Sequence, residues 1–475
     1  MLDPNACYRA LETRDRRFDG RFFTGVVTTG IYCRPVCPAR TPRRRNTVFF
    51  PSAAAAEGAG FRACRRCRPE ASPGSPAWLG TSATVARALR LISLGAADSG
   101  IEPLASRLGI GARQLRRLFR EELGAAPLEI AQTRRTHFAS ELLAETRLPI
   151  TEIAHASGFR SLRRFQEVFR ETFGTSPALA RRARRVARPS GELSVRVPVR
   201  EPYDWERILD FLRPRAYPGV ELVEHGCYRR LARFGNAVGI VEVRRQDEGS
   251  LSVRIDPALA PHALAAVSRV KRLFDCAADP AAIGAHLRRD PRLAPLVRRR
   301  PGLRLPGSWD GFETAVRAIL GQQVSVAAAT TLSGRLVAMC GDVFDGGALT
   351  RVFPRPEAVR DAPLASIGLP RLRAQALRRL AEEVSAGRLG LDGGEPLESL
   401  VDALCRLPGI GPWTAHYVAM RAAGEPDAFP GGDLILQRAL GGGSGKEIEE
   451  RSAPWRPWRA YAAMHLWAHH KEEEQ

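Results

Sequence analysis

Between residues 84 and 187, apolar positions recur at spacings of three and four, the period of helices that bury one face. One pattern occurs there twice. Leu104-Ala105, Gly109, Phe119, Gly124 and Pro127 return as Ile153-Ala154, Gly158, Phe169, Gly174 and Pro177, offset by 49 residues before the turn and 50 after it. Each copy predicts a short helix (101–108, 150–156), a tight turn at Gly109 or Gly158, and a longer helix (111–123, 161–173). Glycine at the turn supplies backbone freedom that a Cβ would obstruct. Phe119, Phe165 and Phe169 read as core. From 193 to 260 the pattern changes to alternation, in 193–197, 237–243 and 251–255, with Asp247-Glu248-Gly249-Ser250 as a hairpin turn, which predicts an antiparallel sheet. The helical period returns over 261–470. Pro, Ser and Gly crowd 69–82, and the basic stretch from 181 breaks at Pro189-Ser190-Gly191; both read as linkers, and KEEEQ at 471–475 as a solvated tail.

The 475 residues carry 72 Lys+Arg against 51 Asp+Glu, a formal charge of +21, with a pI near 10.7. Length alone suggests about three domains, and 44% hydrophobic residues suffice for real cores. The excess charge points to a polyanion, most simply nucleic acid. It is unevenly placed: residues 1–190 hold 33 basic and 16 acidic side chains, net +17, and residues 191–475 hold 39 and 35, net +4. No run of about 18 apolar residues or more suggests a membrane span, and MLDPNACYRALETRDRR has no apolar signal segment, so a cytoplasmic, DNA-associated (nucleoid) setting is expected. Disulfides are rare there, and the nine cysteines need another explanation.

Four of them cluster as Cys33-x3-Cys37 and Cys64-x2-Cys67. Two close pairs across a long spacer is a zinc signature. On spacing alone, a purely structural zinc satisfies it. The flanking residues, TTGIYCRPVCPAR (28–40) and GFRACRRCRPE (60–70), closely resemble the N-terminal domain of Ada-type alkylation-response proteins over about 3–70. The resemblance implies a zinc-bound thiolate that takes a methyl group from a DNA methylphosphotriester. It places the acceptor at Cys33, with Cys37, Cys64 and Cys67 completing the metal site. Arg43, Arg44 and Arg45, with Arg65, Arg66 and Arg68, are candidate phosphate contacts.

The helical repeat, including GFRSLRRFQEVFRETFGTSP at 158–177, resembles the AraC-type pair of helix-turn-helix units over about 84–187. That implies selective DNA binding and transcription control, with RNA polymerase as a partner if the protein activates. Arg113, Gln114 and Arg117 on the first longer helix, and Arg160, Arg163 and Arg164 at the second, are the candidate groove-facing residues.

Leu407-Pro408-Gly409-Ile410-Gly411 is a Gly-rich turn between helical segments, followed by Trp413, Tyr417 and an acid 22 residues past Gly411. Gly409 and Gly411 allow backbone amides to approach phosphate. With WDGFETAVRAILGQQVSVAAA (309–329) and PWRPWRAYAAMHLW (454–467), this resembles the helix-hairpin-helix DNA glycosylases of the 3-methyladenine DNA glycosylase II (AlkA) type over about 193–470. The resemblance puts the catalytic acid at Asp433 and pocket aromatics at Trp413, Tyr417 and Trp467. It also implies a monovalent cation at the hairpin carbonyls. Trp413 stands where lyase-active relatives have a Schiff-base lysine, so a monofunctional hydrolase is expected. Gln323 stands where some relatives push an apolar wedge into the vacated base stack. His416 reads as structural.

Together these readings predict a multidomain chain, mainly α with α+β parts: a small zinc domain (3–70), a double helix-turn-helix (84–187), a sheet-containing part (193–300) and a helix-hairpin-helix glycosylase domain (301–470). The function expected is methyl acceptance coupled to regulation, plus hydrolysis of the N-glycosidic bond of alkylated purines in double-stranded DNA. Two rivals stand beside it. One is a repair enzyme whose first 190 residues only tether it to DNA, and the other is a regulator whose last domain only binds DNA.

Overall fold

The computed structural model describes residues 3–69, 72, 83–183 and 193–473. Most of the 69–82 linker, the Pro189-Ser190-Gly191 break and the end of the charged tail lie outside the described residues. The chain divides into two compact units, Met1–Arg200 with Gln246–Ser268, and Glu201–Arg245 with Arg269–Gln475. Among the described residues no helix is long and apolar enough to cross a membrane.

The first unit begins with the helix Pro4–Glu12, whose free N–H groups are capped by the Asp3 carboxylate. A four-stranded sheet follows, in the spatial order Thr47–Phe50, Phe23–Val26, Ile31–Cys33, Arg62–Ala63. The first three strands pair antiparallel, and Ile31–Cys33 runs parallel to Arg62–Ala63. That parallel register carries the second cysteine pair to the first, since the Cys64 N–H donates to the Tyr32 carbonyl at 3.0 Å. The sequence pattern had not shown this sheet, because strands of two to four residues are too short for alternation to register.

Both helix-turn-helix units form where the repeat predicts. Ile101–Arg107 is followed by Ala112–Leu123, and Ile150–Ala156 by Leu162–Phe173, with the long helix Pro127–Glu145 between the pairs. Gly109 and Gly158 turn at φ 70° and 81°, in the left-handed region that favours glycine. Leu115, Phe119 and Leu123 lie four residues apart and bury one stripe of their helix. In the second copy Phe159, Phe165, Phe169 and Phe173 form a ladder of rings with successive centroids 5.3, 5.6 and 4.6 Å apart. The six-residue strands Leu193–Pro198 and Ser250–Ile255 also pair within this unit, antiparallel.

In the second unit, Cys227–Phe234 pairs antiparallel with Glu221–Glu224 and with Ala237–Asp247. The rest is mainly helical, with one departure from the helical pattern read over 261–470: Val343–Gly346 and Leu349–Arg351 make a two-stranded hairpin. Its turn uses Gly347 at φ 69°. Beneath the sheet, Arg230 is 1% exposed and donates to both Glu313 oxygens at 2.9 and 3.0 Å. Glu221 approaches the same guanidinium at 3.4 Å, and the Trp309 ring lies 4.6 Å from it. Burial pushes the Glu313 carboxyl up to about 7 even though Arg230 opposes the shift.

Removing one member of a buried ion network leaves its partners uncompensated, at a cost of about 3–5 kcal/mol. Arg230→Met should lose that much stability at neutral pH, measured by urea unfolding followed through tryptophan fluorescence. The loss should shrink toward pH 5. The folded carboxyl already binds its proton more tightly than the unfolded chain, so it opposes folding as pH rises from 4.5 to about 7. An equal loss at pH 5 and pH 8 would show that the network's charge is not the cause.

Candidate functional site

The sheet of the first unit delivers four sulfurs to one point. Cys33 ends its strand, Cys37 follows a turn in which its N–H donates to the Arg34 carbonyl at 3.2 Å, and Cys64 and Cys67 follow Arg62–Ala63. The four Sγ atoms lie within 4.8 Å of one another. A tetrahedral zinc with Zn–S bonds of about 2.3 Å needs sulfurs roughly 3.8 Å apart, so the set fits that ion. The sulfurs pull one another's ionisation apart, chiefly through hydrogen bonds among themselves: Cys33 and Cys67 are pushed up, Cys64 is pushed down, and Cys37 is lowered to about 7. Such a cluster cannot be four thiolates without a cation to balance it. Cys37, Cys64 and Cys67 are buried residues and Cys33 is half-buried.

The surroundings are built as firmly. Arg34 donates through its backbone N–H to Cys67 Sγ at 3.3 Å and through its side chain to the Cys67 carbonyl at 3.2 Å, while pairing with Asp19. Tyr32, beside Cys33 and fully buried, donates to Glu57 Oε1 at 2.7 Å. His137 Nε2 sits 3.0 Å from the same oxygen, and Thr133 donates to Glu57 Oε2 at 2.6 Å. Burial would raise the Glu57 carboxyl, but His137, Thr133 and Tyr32 together hold it below its ordinary value. Thr133 and His137 belong to the helix Pro127–Glu145, so the strand bearing Cys33 is tied directly to the helix between the two helix-turn-helix units. No motif announced that network.

The candidate DNA-facing arginines differ among themselves. Arg43, Arg44 and Arg45 are exposed, but the Arg44 guanidinium lies over the rings of Phe49 and Tyr8, 5.2 and 5.8 Å from their centroids. Arg65 donates to the Phe173 carbonyl at 3.4 Å. Arg113, Gln114 and Arg117 are exposed on Ala112–Leu123. Arg163 and Arg164 are exposed on Leu162–Phe173, where Arg163 pairs with Glu167 at 3.0 Å and Arg164 donates to Gln132 at 3.3 Å. Arg160 precedes that helix and donates to the Asp98 carbonyl at 3.0 Å.

In the second unit, Leu397–Cys405 and Pro412–Arg421 flank the hairpin of Gly409, at φ 80°, and Gly411, which is exposed and extended. Asp433 caps the helix Leu434–Ala439, its Oδ1 accepting from the N–H groups of Ile435 and Leu436 at 3.0 and 3.1 Å. Two indoles reach the same carboxylate. Trp413 Nε1 donates to Oδ2 at 3.1 Å, and Trp467 Nε1, from the helix Arg459–Glu473, donates to Oδ1 at 3.0 Å. Both Trp413 and Trp467 are half-buried, and Trp413 stacks on Tyr417 at 5.4 Å and 9°. Four sequence-predicted residues therefore stand together. The structure adds a second tie among them: both tryptophans hold the acid through their indole N–H groups. The loop before Asp433 requires glycine, because a Cβ on Gly431 would stand 2.4 Å from the Gly445 carbonyl oxygen.

Sequence reasoning missed Arg421, one helical turn beyond Tyr417, though that i,i+4 spacing was a readable signal. Its guanidinium donates to the Tyr417 hydroxyl at 3.0 Å. Burial would raise that hydroxyl, yet Arg421, Arg215 and Arg317 outweigh it and hold it below the ordinary tyrosine value. These groups line a cavity of about 50 Å³ with Trp309, Glu313 and Arg230. His416 accepts from the Phe429 N–H at 3.4 Å, and burial lowers its imidazole to about 4, which leaves it neutral at pH 7. Gln323 lies on an exposed turn at φ 55°.

Comparison with known proteins gives the same order of parts. Residues 6–70 match the metal binding domain of Ada, 104–183 a helix-turn-helix domain, 194–310 the AlkA N-terminal domain, and 316–444 the HhH-GPD superfamily of base excision DNA repair proteins. A probable bifunctional transcriptional activator/DNA repair enzyme AlkA of Mycobacterium tuberculosis is 44% identical, covering 98% of this chain and 96% of its own. DNA-3-methyladenine glycosylase 2 of Escherichia coli is 36% identical over 56% of this chain and 94% of its own. Among solved structures, the 3-methyladenine DNA-glycosylase from Archaeoglobus fulgidus shares the fold of that part, with a TM-score of 0.50 at 22% identity, covering 57% of this chain and 96% of that one. With the zinc-binding cysteine cluster, the helix-turn-helix pair and the glycosylase unit in one chain, this protein belongs to the family of bifunctional transcriptional activator/DNA repair AlkA proteins.

Proposed function

We propose that this chain repairs two products of DNA alkylation and reports one of them. The observation that carries the repair reading is the Asp433 carboxylate, held by Trp413 and Trp467, the first of them in the opening turn of the helix that follows the hairpin. Gly409 and Gly411 grip the backbone through amide groups, and the hairpin would hold a monovalent cation that adds positive charge beside the phosphate. The damaged nucleotide leaves the stack. The C1′–N bond breaks, its electron pair departs with the base, and positive charge develops on the sugar. Asp433 stabilises that charge, and a water oxygen then bonds to C1′ and yields its proton to the Asp433 carboxylate, which passes it to solvent. An alkylated purine carries positive charge, which favours both departure and stacking on the electron-rich rings of Trp413, Tyr417 and Trp467.

At the other end, Cys33 attacks the methyl carbon of a methylphosphotriester. The carbon–oxygen bond breaks, its pair stays on the phosphate oxygen, and Cys33 becomes a thioether. Zinc, when bound, keeps the sulfur deprotonated at neutral pH. Methylation removes one negative charge from the site, which then repels DNA phosphates less. Tighter DNA binding follows, with Arg43, Arg44 and Arg45 near the backbone. Arg113, Gln114, Arg117, Arg160, Arg163 and Arg164 contact the promoter, and RNA polymerase is the partner that reads the result. The work belongs in the cytoplasm, at the nucleoid. Methyl acceptance belongs to 3–70, promoter binding to 84–187, and base release to the sheet-containing part at 193–300 with the helix-hairpin-helix domain at 301–470.

Asp433→Asn should slow single-turnover base release from methylated duplex DNA by at least about 100-fold, while DNA affinity stays within a few-fold of the parent. Release at the parental rate would remove Asp433 from the chemistry. Cys33→Ser should abolish methyl uptake from methylphosphotriester DNA, read by peptide mass. A methyl group found on another cysteine of the parent protein would move the acceptor, and promoter affinity unchanged by methylation would reduce the first 190 residues to a tether.

A further inference from the structure

The turn between the helices Gly311–Leu320 and Val326–Cys340 has a conformation its residue disfavours. Gln323 is not glycine, yet its φ is 55°. For a residue with a Cβ, that region costs about 1–2 kcal/mol. Its side chain is exposed, so it gains no burial in return. Such strain persists only where neighbours hold it, and it collects at functional places.

The preceding residue, Gln322, is anchored. Its amide Nε2 donates to the Gly409 carbonyl at 2.9 Å and sits 3.0 Å from the Thr414 hydroxyl oxygen. Both partners belong to the hairpin. Gly409 is its left-handed turn, and Thr414 is 3% exposed in the first turn of Pro412–Arg421, next to Trp413. The far end of the turn is closed by Ser325, whose hydroxyl accepts from the Ala328 N–H at 3.2 Å. One side chain thus ties a strained, exposed turn to the hairpin, and through the residue beside Thr414 to the acid, because Trp413 donates to Asp433 at 3.1 Å.

We propose that Gln322 is a positioning residue for base release: its amide clamps the 321–325 turn to the hairpin, so that Gln323 fills the space left in the duplex while Asp433 meets the sugar. The inference rests on the glycosylase reading above. Extruding a base costs a few kcal/mol of stacking and pairing. A filler lowers that cost only if it arrives in register with the extruded nucleotide. A turn free to swing would let the base return before the C1′–N bond breaks. Gln322 touches neither base nor sugar, and acts through Gln323.

The test uses the full-length zinc-loaded protein and a duplex holding one 7-methylguanine, placed opposite cytosine or opposite an abasic site. In the second duplex no pairing partner draws the extruded base back, so a loosened turn matters less. Gln322→Glu keeps the side chain's size, removes the N–H donors and sets a carboxylate against the Gly409 carbonyl. Gln322→Ala removes the contact altogether. Both variants should release base from the paired duplex about tenfold more slowly than the parent in single turnover, the loss of roughly one net hydrogen bond. On the duplex with the abasic site they should stay within twofold of the parent. Equal slowing on both duplexes would reduce Gln322 to a purely structural role and overturn the proposal. Parental rates on the paired duplex would overturn it as well. A parent protein that releases no base from either duplex would defeat the glycosylase reading itself.

Discussion

The Asp433 carboxylate is where the second unit converges. Its two oxygens accept from the N–H groups of Ile435 and Leu436 and from the indoles of Trp413 and Trp467. Three helices must therefore meet at fixed spacing: the one Asp433 caps, the one following the hairpin, and the one near the end of the chain. Each donor constrains a direction as well as a distance, and hydrogen bonds to a carboxylate exceed neutral ones in strength. The glycine requirement at Gly431 is a consequence, since the loop that delivers the acid runs against the Gly445 backbone with no room for a Cβ. The stacking of Trp413 on Tyr417 is another, because a ring tethered by its N–H can present only one face to its neighbour.

The first unit solves a different problem with similar means. Four sulfurs that repel one another as anions must be held together before a cation binds. The parallel pairing of Ile31–Cys33 with Arg62–Ala63 does this with very little chain. Of the four, Cys33 is the half-buried residue, at the end of a strand whose Tyr32 is bolted through Glu57 to Thr133 and His137. The charge distribution matches this division: the +17 of the first 190 residues lies on the part built around the zinc site and the helix-turn-helix pair. The nearly neutral remainder holds the carboxylate and the two indoles that bind it.

What could be read in advance was whatever chemistry imposes spacing or backbone conformation. Four cysteines, the glycines of the turns at 109, 158 and 409, and the acid after the hairpin carry their constraint in residue type. The phenylalanine core of the helix repeat was readable because 3.6-residue periodicity survives over long helices. The indole contacts to Asp433 were not, since Trp413 and Trp467 are 54 positions apart and a tryptophan in a helix is more often packing. Nor was the buried Arg230–Glu313–Glu221 network, whose members come from two strands and a distant helix. Nor was the placement of Arg44, whose guanidinium lies over two rings of its own domain although, like Arg43 and Arg45, it is exposed.

If the indoles orient the acid, removing their N–H groups while keeping large rings should be felt in the chemical step. The direct measurement is the single-turnover rate of base release from methylated duplex DNA by Trp413→Phe, Trp467→Phe and the double variant, at saturating protein. A hydrogen bond to a charged group is worth about 1.5–3 kcal/mol. Each single variant should therefore slow release by roughly ten- to a hundred-fold, and the double should lose less than the product of the two, because both bonds serve one carboxylate. Parental rates from both single variants would contradict the account.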